Sequence, residues 1–397
     1  MKCGMVDCSP HQKHNGKVRV CILGSTGSIG KSALQIIRTN PEKFEVIALV
    51  AGSNSEELAK QILEFKPKIA ALDSERAYLK LKGILPTNDC PELTFGANSI
   101  AEIVTRSDID LVLAAIVGFA GLRSVLSALK ANKIVALANK ESLVCGGALV
   151  NDLVQSGHGS IIPVDSEHSA IYQVLQAQEK NNLKRVILTA SGGPFWQKPL
   201  SEFKDITIEQ ALNHPRWKMG PKVTIDSATM MNKALEVIEA HWLFGMSADE
   251  ISVLVHPQSI VHSLIELIDG SQLAQLGVPD MKGPIAYALR YPERIFNVME
   301  SLNLAKAYKL EFYELDNQKF PAVGLANEAI KQGGIATAVL NISNEVAVQA
   351  FLAGKISFCD IVPFVEKALN LYGDGTYSCY EDLDNINKVI REKLLIK

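Results

Sequence analysis

The chain has 397 residues, of which 47% are hydrophobic and 21% charged, and its formal net charge is -3. That length exceeds one ordinary core, so two or three domains are expected. The small charge, with no dense Lys/Arg cluster, excludes an electrostatic nucleic-acid binder, and no apolar run reaches membrane-spanning length. The seven cysteines, Cys3, Cys8, Cys21, Cys90, Cys145, Cys359 and Cys379, are scattered. This is a reduced, intracellular pattern rather than a disulfide framework, and a cytoplasmic protein is expected.

Residues 1–16 are polar and lack the apolar core of a signal peptide. Cys3, Cys8, His11 and His14 have loosely metal-like spacing, but no flanking hydrophobic pattern supports a zinc module, and a disordered tail is expected. From residue 17 to 165, short apolar runs alternate with amphipathic segments. Val18-Leu23, Phe44-Val50, Lys68-Leu72, Leu111-Ile116, Ile134-Ala138 and Ile161-Val164 read as buried strands, with helices such as Ser32-Arg38 and Ser55-Phe65 between them. That alternation predicts a Rossmann-like, doubly wound parallel sheet. Residues 166–291 hold four further strand-like runs, Arg185-Thr189, Ile251-Val255, Ile260-Leu267 and Gln272-Leu276, with helices at Ile208-Leu212 and Thr229-Phe244. A central α+β domain with a mixed or antiparallel sheet follows. Residues 292–316 read as an irregular linker, and 317–397 as a C-terminal helix bundle.

The first strand runs straight into Gly24-Ser25-Thr26-Gly27-Ser28-Ile29-Gly30. Glycines at spacing three let the backbone turn sharply and bring N–H groups close to a pyrophosphate at a helix N-terminus. NAD-binding units place an acid at the end of the next strand to hold the ribose 2′-OH. Here that end reads Val50-Ala51-Gly52-Ser53-Asn54, with no acid before Glu56. By exclusion this favours NADP.

Asp165 and Glu167 sit two apart at the end of an apolar run, and in an extended chain they point to the same side. Two carboxylates about 4 Å apart repel by roughly 4 kcal/mol at an effective dielectric near 20. A hard divalent cation such as Mg²⁺ or Mn²⁺ removes that cost, although solvated loop acids would show the same spacing. Lys140 follows a strand end, where parallel sheets bind ligands. Ser191-Gly192-Gly193-Pro194 is either an anion-binding concavity or a turn. Asp226 or Ser227 is expected to cap a helix starting near Ala228, with Met231, Leu235, Ile238 and Trp242 as its core stripe. Asn232, Lys233 and Glu236 then share one polar face, either as an exposed ion pair or as a phosphate site beside a metal carboxylate. The loop from His214 to Pro221 carries Trp217 and is compatible with packing or with a lid. His256 to His262 is expected to be structural.

Taken together, these blocks resemble the 1-deoxy-D-xylulose 5-phosphate reductoisomerases, NADPH- and metal-dependent enzymes of non-mevalonate isoprenoid synthesis. The resemblance rests on Gly24 to Gly30, Ala138-Asn139-Lys140-Glu141-Ser142, Val164-Asp165-Ser166-Glu167-His168, Ser191 to Phe195, His214-Pro215 with Trp217 and Met219-Gly220, and Asp226 to Lys233, with Leu340-Asn341 and Asn344-Glu345 near the end. It implies that Asp165, Glu167 and Glu236 bind Mg²⁺, Mn²⁺ or Co²⁺. Ser191, Ser227, Asn232 and Lys233 would hold a sugar-phosphate substrate by its phosphate. Ser166, Lys140 and His214 would contact it, and Trp217 would close over it. Thr26, Gly27, Ser28, Ile29, Gly52, Ser53, Asn54, Asn139, Glu141 and Gly220 would contact NADPH. Ser53 departs from the basic residue that many members carry. The implied enzyme is a homodimer that rearranges and reduces 1-deoxy-D-xylulose 5-phosphate to 2-C-methyl-D-erythritol 4-phosphate. A metal-independent NADP-dependent semialdehyde or sugar dehydrogenase, and a dinucleotide-sensing regulator with a helical interaction domain, are the competing readings.

Overall fold

Apolar runs of four to eight residues, flanked by amphipathic helices, build the first half of the chain. In the computed structural model, which describes residues 5–6, 16–86, 90–214, 220–306 and 309–394, they form β1 (Val18–Leu23), α1 (Ser28–Thr39), β2 (Phe44–Ala51), α2 (Ser55–Phe65), β3 (Ile69–Leu72), α3 (Glu75–Ile84), β4 (Glu92–Phe95), α4 (Ala97–Ile103), β5 (Leu111–Ala114), α5 (Leu122–Lys130), β6 (Ile134–Leu137), α6 (Lys140–Gln155) and β7 (Ser160–Pro163). The seven strands are all parallel, in the order β4-β3-β2-β1-β5-β6-β7. Val18, Val20, Cys21 and Ile22 are fully buried, as expected for strands covered on both faces. β4 has no counterpart in the sequence reading. It is a short edge strand with exposed ends and no continuous apolar run. The chain winds one way from β1 to β4 and the other way from β5 to β7. Its switch point therefore lies between β1 and β5, where such sheets open a ligand crevice.

The second unit contains α7 (Ser166–Leu175), β8 (Leu183–Ala190), α8 (Ile208–Leu212), α9 (Pro221–Ala228), α10 (Met231–Phe244), β9 (Ile251–Val255), β10 (Val261–Leu267), β11 (Gln272–Leu276), α11 (Lys282–Arg290) and β12 (Tyr313–Glu314). Its sheet is mixed, ordered β11-β10-β8-β9-β12, with β8 parallel to β9 and the other pairs antiparallel. α7 and α10 pack on it through Ile171, Leu175, Val237 and Ala240. Three expectations are corrected. The stretch read as irregular contributes β12, which pairs with β9. α11 falls within residues 166–291, expected to form the central domain, yet Ile285, Ala288 and Leu289 belong to the core of the parallel sheet. The helix expected to start near Ala228 is two helices. Pro221 opens α9 after Gly220, so Asp226 and Ser227 lie inside it, and α10 begins after Met230, which is left-handed at φ 61°. A proline at the first helical position is a strong start signal, but it was hidden in a segment read as loop.

Of residues 1–16, Met5 and Val6 are described and are buried against the end of α10. Val6 N–H donates to the Leu243 carbonyl at 3.2 Å. A uniformly disordered tail is thereby corrected, since two adjacent apolar side chains found a groove to fill.

The chain ends in α12 (Ala322–Gln332), α13 (Ala336–Leu352), α14 (Ile361–Tyr372) and α15 (Tyr380–Lys393). Leu325, Ala326, Leu340, Val365 and Leu369 pack on the Met231-Leu235-Ile238 stripe of α10. α13 is buried nearly all round and carries Asn341 and Asn344 inward. No helix among the described residues is long and apolar enough to cross a membrane.

Candidate active site

The carboxyl ends of β6 and β7 deliver the first charged groups. Asn139 caps α6, its Oδ1 accepting from Ser142 N–H at 3.1 Å, which places Lys140 in the first turn. Asp165 caps α7, its Oδ1 accepting from Ser166 N–H at 3.0 Å. The expected strand-like alternation of Asp165 and Glu167 is therefore corrected: the two acids straddle a helix start. α10 brings Asn232, Lys233 and Glu236 to the same place. Lys140 Nζ lies 2.5 Å from Asp165 Oδ2, 3.0 Å from Glu236 Oε1 and 3.0 Å from Asn232 Oδ1. Lys233 Nζ donates to Glu167 Oε1 at 2.8 Å and closely to Glu236, which Asn232 also contacts. Ser166 Oγ donates to Glu167 Oε2 at 2.6 Å. An exposed ion pair is excluded, because Lys233 and Glu236 are almost fully buried.

Each of the three carboxylates Asp165, Glu167 and Glu236 offers an oxygen within 4.8 Å of the others. At that spacing each pair of charges repels by roughly 3 kcal/mol at an effective dielectric near 20. Two ammonium groups face three carboxylates, so the cluster is short of positive charge. Burial, reinforced by Glu167, pushes the Glu236 carboxyl above its usual range. Burial acts the same way on Asp165, but Lys140 and the other charged neighbours together outweigh it and hold that carboxyl at about 2. Burial pulls Lys140 down, yet Asp165 and Glu236 carry it well above the usual lysine range. An all-oxygen donor set lacking one positive charge fits a hard divalent cation.

A second triple, Asp165, His168 and Glu239, is equally close. His168 Nε2 contacts the Glu236 carbonyl oxygen at 2.9 Å. A carbonyl only accepts, so Nε2 carries the proton. Burial lowers the pKa of the ring, and its Nδ1 lies 3.2 Å from Glu239 Oε2. Burial, reinforced by Asp165, raises the Glu239 carboxyl well above its usual range. His168 and Glu239 are fully buried and do not line the cavity, whereas Asp165, Glu167 and Glu236 all do, so the first triple is the better metal site.

Lys140, Asp165, Glu167, Asn232, Lys233 and Glu236 line a cavity of about 690 Å³ together with Ser166, Ser191, His214, Gly220 and Ser227, and with Gly27, Ser28, Ile29, Asn139 and Glu141 from the parallel-sheet side. Ser191 follows β8, and its Oγ lies 3.3 Å from His214 Nε2. Burial lowers the His214 pKa, favouring the neutral ring. Gly193, at φ 66°, packs so closely on α9 that a Cβ would meet the Ser227 carbonyl at 2.6 Å. Thr26, Gly52, Ser53 and Asn54 do not line the cavity. Gly52, Ser53 and Asn54 are exposed at the end of β2, and Asn54 caps α2 by accepting from Glu57 N–H at 3.1 Å.

Three family models match the chain: 1-deoxy-D-xylulose 5-phosphate reductoisomerase over residues 20–147, its C-terminal domain over 161–244, and the DXP reductoisomerase C-terminal domain over 276–393. The reductoisomerase of Chlorobaculum tepidum is 50% identical over 94% of this chain and 97% of its own, and that of Geotalea daltonii is 48% identical over 94% and 97%. A solved DOX-P reductoisomerase in complex with NADPH, fosmidomycin and magnesium superposes with a TM-score of 0.91 at 40% identity, covering 95% of this chain and 97% of that one. The Zymomonas mobilis enzyme in complex with NADPH gives 0.89 at 43% identity, covering 95% and 98%. The chain belongs to the 1-deoxy-D-xylulose 5-phosphate reductoisomerase family.

Trp217, singled out as a lid residue, lies outside the described residues. Other residues lining the cavity escaped the sequence reading. Ser259, Val261 and His262 line the cavity, although the segment from His256 to His262 reads as structural. That reading holds for His256: its Nδ1 contacts the Glu311 carbonyl oxygen at 2.8 Å, Nε2 accepts from the N–H groups of Ile260 and Val261, and the ring stacks on Phe312. The missed signal was the parallel pairing of β8 and β9, which brings their carboxyl ends, and hence Ser191 and Ser259, to one edge. Lys222 was also missed, because it follows a proline in a presumed loop.

Proposed function

We propose that this cavity is where the chain carries out its family's reaction, the NADPH- and divalent-metal-dependent rearrangement and reduction of 1-deoxy-D-xylulose 5-phosphate to 2-C-methyl-D-erythritol 4-phosphate. Asp165, Glu167 and Glu236 hold the cation, and their hard oxygen set favours Mg²⁺ or Mn²⁺, with Co²⁺ as a substitute. When bound, the ion supplies Lewis-acid polarisation of substrate oxygens. Ser191, Ser227, Asn232 and Lys233 bind the substrate phosphate next to the first turn of α10, where backbone N–H groups point outward. Lys140 and Ser166 orient substrate oxygens, and neutral His214 donates or accepts beside Ser191. Anchoring at the phosphate orients the reacting carbons and raises their effective concentration. Thr26 to Ile29, Gly52 to Asn54, Asn139, Glu141 and Gly220 hold NADPH across the switch point between β1 and β5. The expected homodimer, the cytoplasmic location and residues 166–291 as a catalytic domain distinct from 17–165 belong to the same reading, with α11 returned to the first unit.

The observation that carries this reading is three clustered carboxylates, Glu236 buried and Asp165 and Glu167 half-buried, and two lysines in one cavity with a dinucleotide-type glycine loop. A metal-independent dehydrogenase has no use for the carboxylate cluster, and a regulator would not turn over. NADPH consumption with 1-deoxy-D-xylulose 5-phosphate separates the three. Activity is expected with Mn²⁺ and abolished by EDTA, and fosmidomycin should compete with substrate. Turnover in EDTA would favour the dehydrogenase, and none in either condition the regulator.

A further inference from the structure

Lys222 stands in the first turn of α9, and its ammonium joins carboxylates from two units. Its Nζ lies 2.8 Å from Glu141 Oε1, in the first turn of α6, and 2.9 Å from Asp226 Oδ2, one turn further along α9. Both acids are engaged on their other oxygen. Glu141 Oε2 accepts from Asn139 Nδ2 at 2.9 Å, and Asp226 Oδ1 accepts from Asn344 Nδ2 of α13 at 2.8 Å. Glu141, Asp226 and Asn344 are nearly or completely buried. The cofactor-side sheet, the substrate helices and the C-terminal bundle thus meet at a single cation.

The neighbouring residue gives this junction its meaning. Lys140 and Glu141 are adjacent, and each sends its charge across to the substrate side. Lys140 reaches Glu236 and Asn232 on α10, while Glu141 reaches α9 through Lys222. The first turn of α6 is therefore cross-linked twice, with opposite polarity, to the helices carrying the phosphate and metal residues. Buried, fully paired charges tolerate little displacement, because any gap leaves a carboxylate unpaired in a poorly solvated place.

We propose that Lys222 is a positioning residue for hydride transfer: it fixes the cofactor-holding turn at Asn139 and Glu141 against α9 and α10, with Asn344 as the third anchor, and so sets the separation between reduced nicotinamide and bound substrate. This rests on the reading that Asn139 and Glu141 hold NADPH. Displacements of an ångström between reacting groups cost about 100-fold in rate.

The test uses the Mn²⁺-loaded enzyme and NADPH deuterated at the transferred hydrogen. Lys222→Met should lower kcat by about 10- to 100-fold, raise the NADPH Kd and enlarge the primary deuterium isotope effect, while the KM for deoxyxylulose phosphate stays near wild type. Lys222→Arg, which can still bridge both carboxylates, should recover most of the loss. Asn344→Ala should shift the isotope effect the same way by less. A Lys222→Met enzyme with a lower Tm but an unchanged isotope effect and NADPH Kd overturns the proposal. If that variant does not fold, Asn344→Ala decides on the same two readings. Glu141→Ala separates the underlying assumption: unchanged NADPH affinity there removes Glu141 from the cofactor site, whereas weakened affinity beside a normal Lys222→Met enzyme removes only the positioning role.

Discussion

Lys140 Nζ and Glu236 Oε1 lie 3.0 Å apart although one belongs to the parallel-sheet unit and the other to the long helix of the mixed-sheet unit. The contact joins the two units across the cavity through one largely buried ion pair, with Asp165 as a second partner of the same ammonium. The lysine partly fills the charge deficit that a divalent cation would fill.

Lys140→Met should therefore destabilise the metal-free protein by about 3–5 kcal/mol, the cost of leaving buried charges without their partner. Saturating Mn²⁺ should recover part of that loss. Denaturation of wild type and variant in EDTA and in Mn²⁺ gives the comparison. An equal Mn²⁺ effect on both proteins would show that lysine and cation do not serve the same carboxylates.

Glu236→Gln keeps the side-chain volume and leaves an amide that Asn232 and Lys233 can still contact, but it removes one anionic ligand. Turnover should fall by at least about 100-fold, while the NADPH Kd stays within about twofold, since no cofactor residue touches Glu236. Isothermal titration with NADPH and steady-state rates measure the two separately. Normal turnover in the variant would sink the metal assignment.

The sequence carried the parallel sheet because its strands are continuous apolar runs, and it carried Lys140, Asp165 and Glu167 because parallel strands present ligands at their carboxyl ends. It did not show β4 or β12, which are short edge strands without that run. It mistook the geometry of Asp165 and Glu167 because a helix cap and a strand end look alike over three residues. Ser259 and Lys222 were hidden for a different reason. Their roles depend on which strand pairs with which and on which helix meets which acid, and these are long-range relations that no local spacing encodes.

Ser53 stands exposed at the end of β2, where an acid would repel a 2′-phosphate. Ser53→Asp should reduce the NADPH-over-NADH preference in kcat/KM by about tenfold, in line with roughly 1 kcal/mol or more of added repulsion. Parallel assays with both cofactors check it. An unchanged ratio would place the 2′-phosphate elsewhere.

Glu266 on β10 pairs with Lys184 and Arg185 on β8, and their hydrogen bonds hold its carboxyl at about 2, below its ordinary 4.5. A depressed folded pKa stabilises above the unfolded value, and the contribution is lost as pH falls through the folded one. Glu266→Gln should therefore melt below wild type at neutral pH, and the gap should close between about pH 4.5 and 2. Paired Tm measurements across that window test it. A gap independent of pH would assign the effect to packing rather than to the ion pairs.

Ser259 is held at φ 53°, in a region that a serine seldom adopts, by a turn that His256 braces from beneath. Its Oγ is buried without a hydrogen-bond partner among the described residues, in a side chain lining the cavity. A buried hydroxyl left unpaired costs about 1–3 kcal/mol, a cost that a substrate oxygen would remove. Ser259→Ala keeps the backbone strain and deletes the unpaired group, so the free enzyme should become more stable by about 1 kcal/mol. The same change should raise the substrate KM by roughly two- to tenfold, the worth of one hydrogen bond of 0.5–1.5 kcal/mol, and leave the NADPH KM unaltered. A stability gain with weaker substrate binding separates this role from ordinary packing, which would lower the Tm. An unchanged substrate KM would show that the hydroxyl does not meet the substrate.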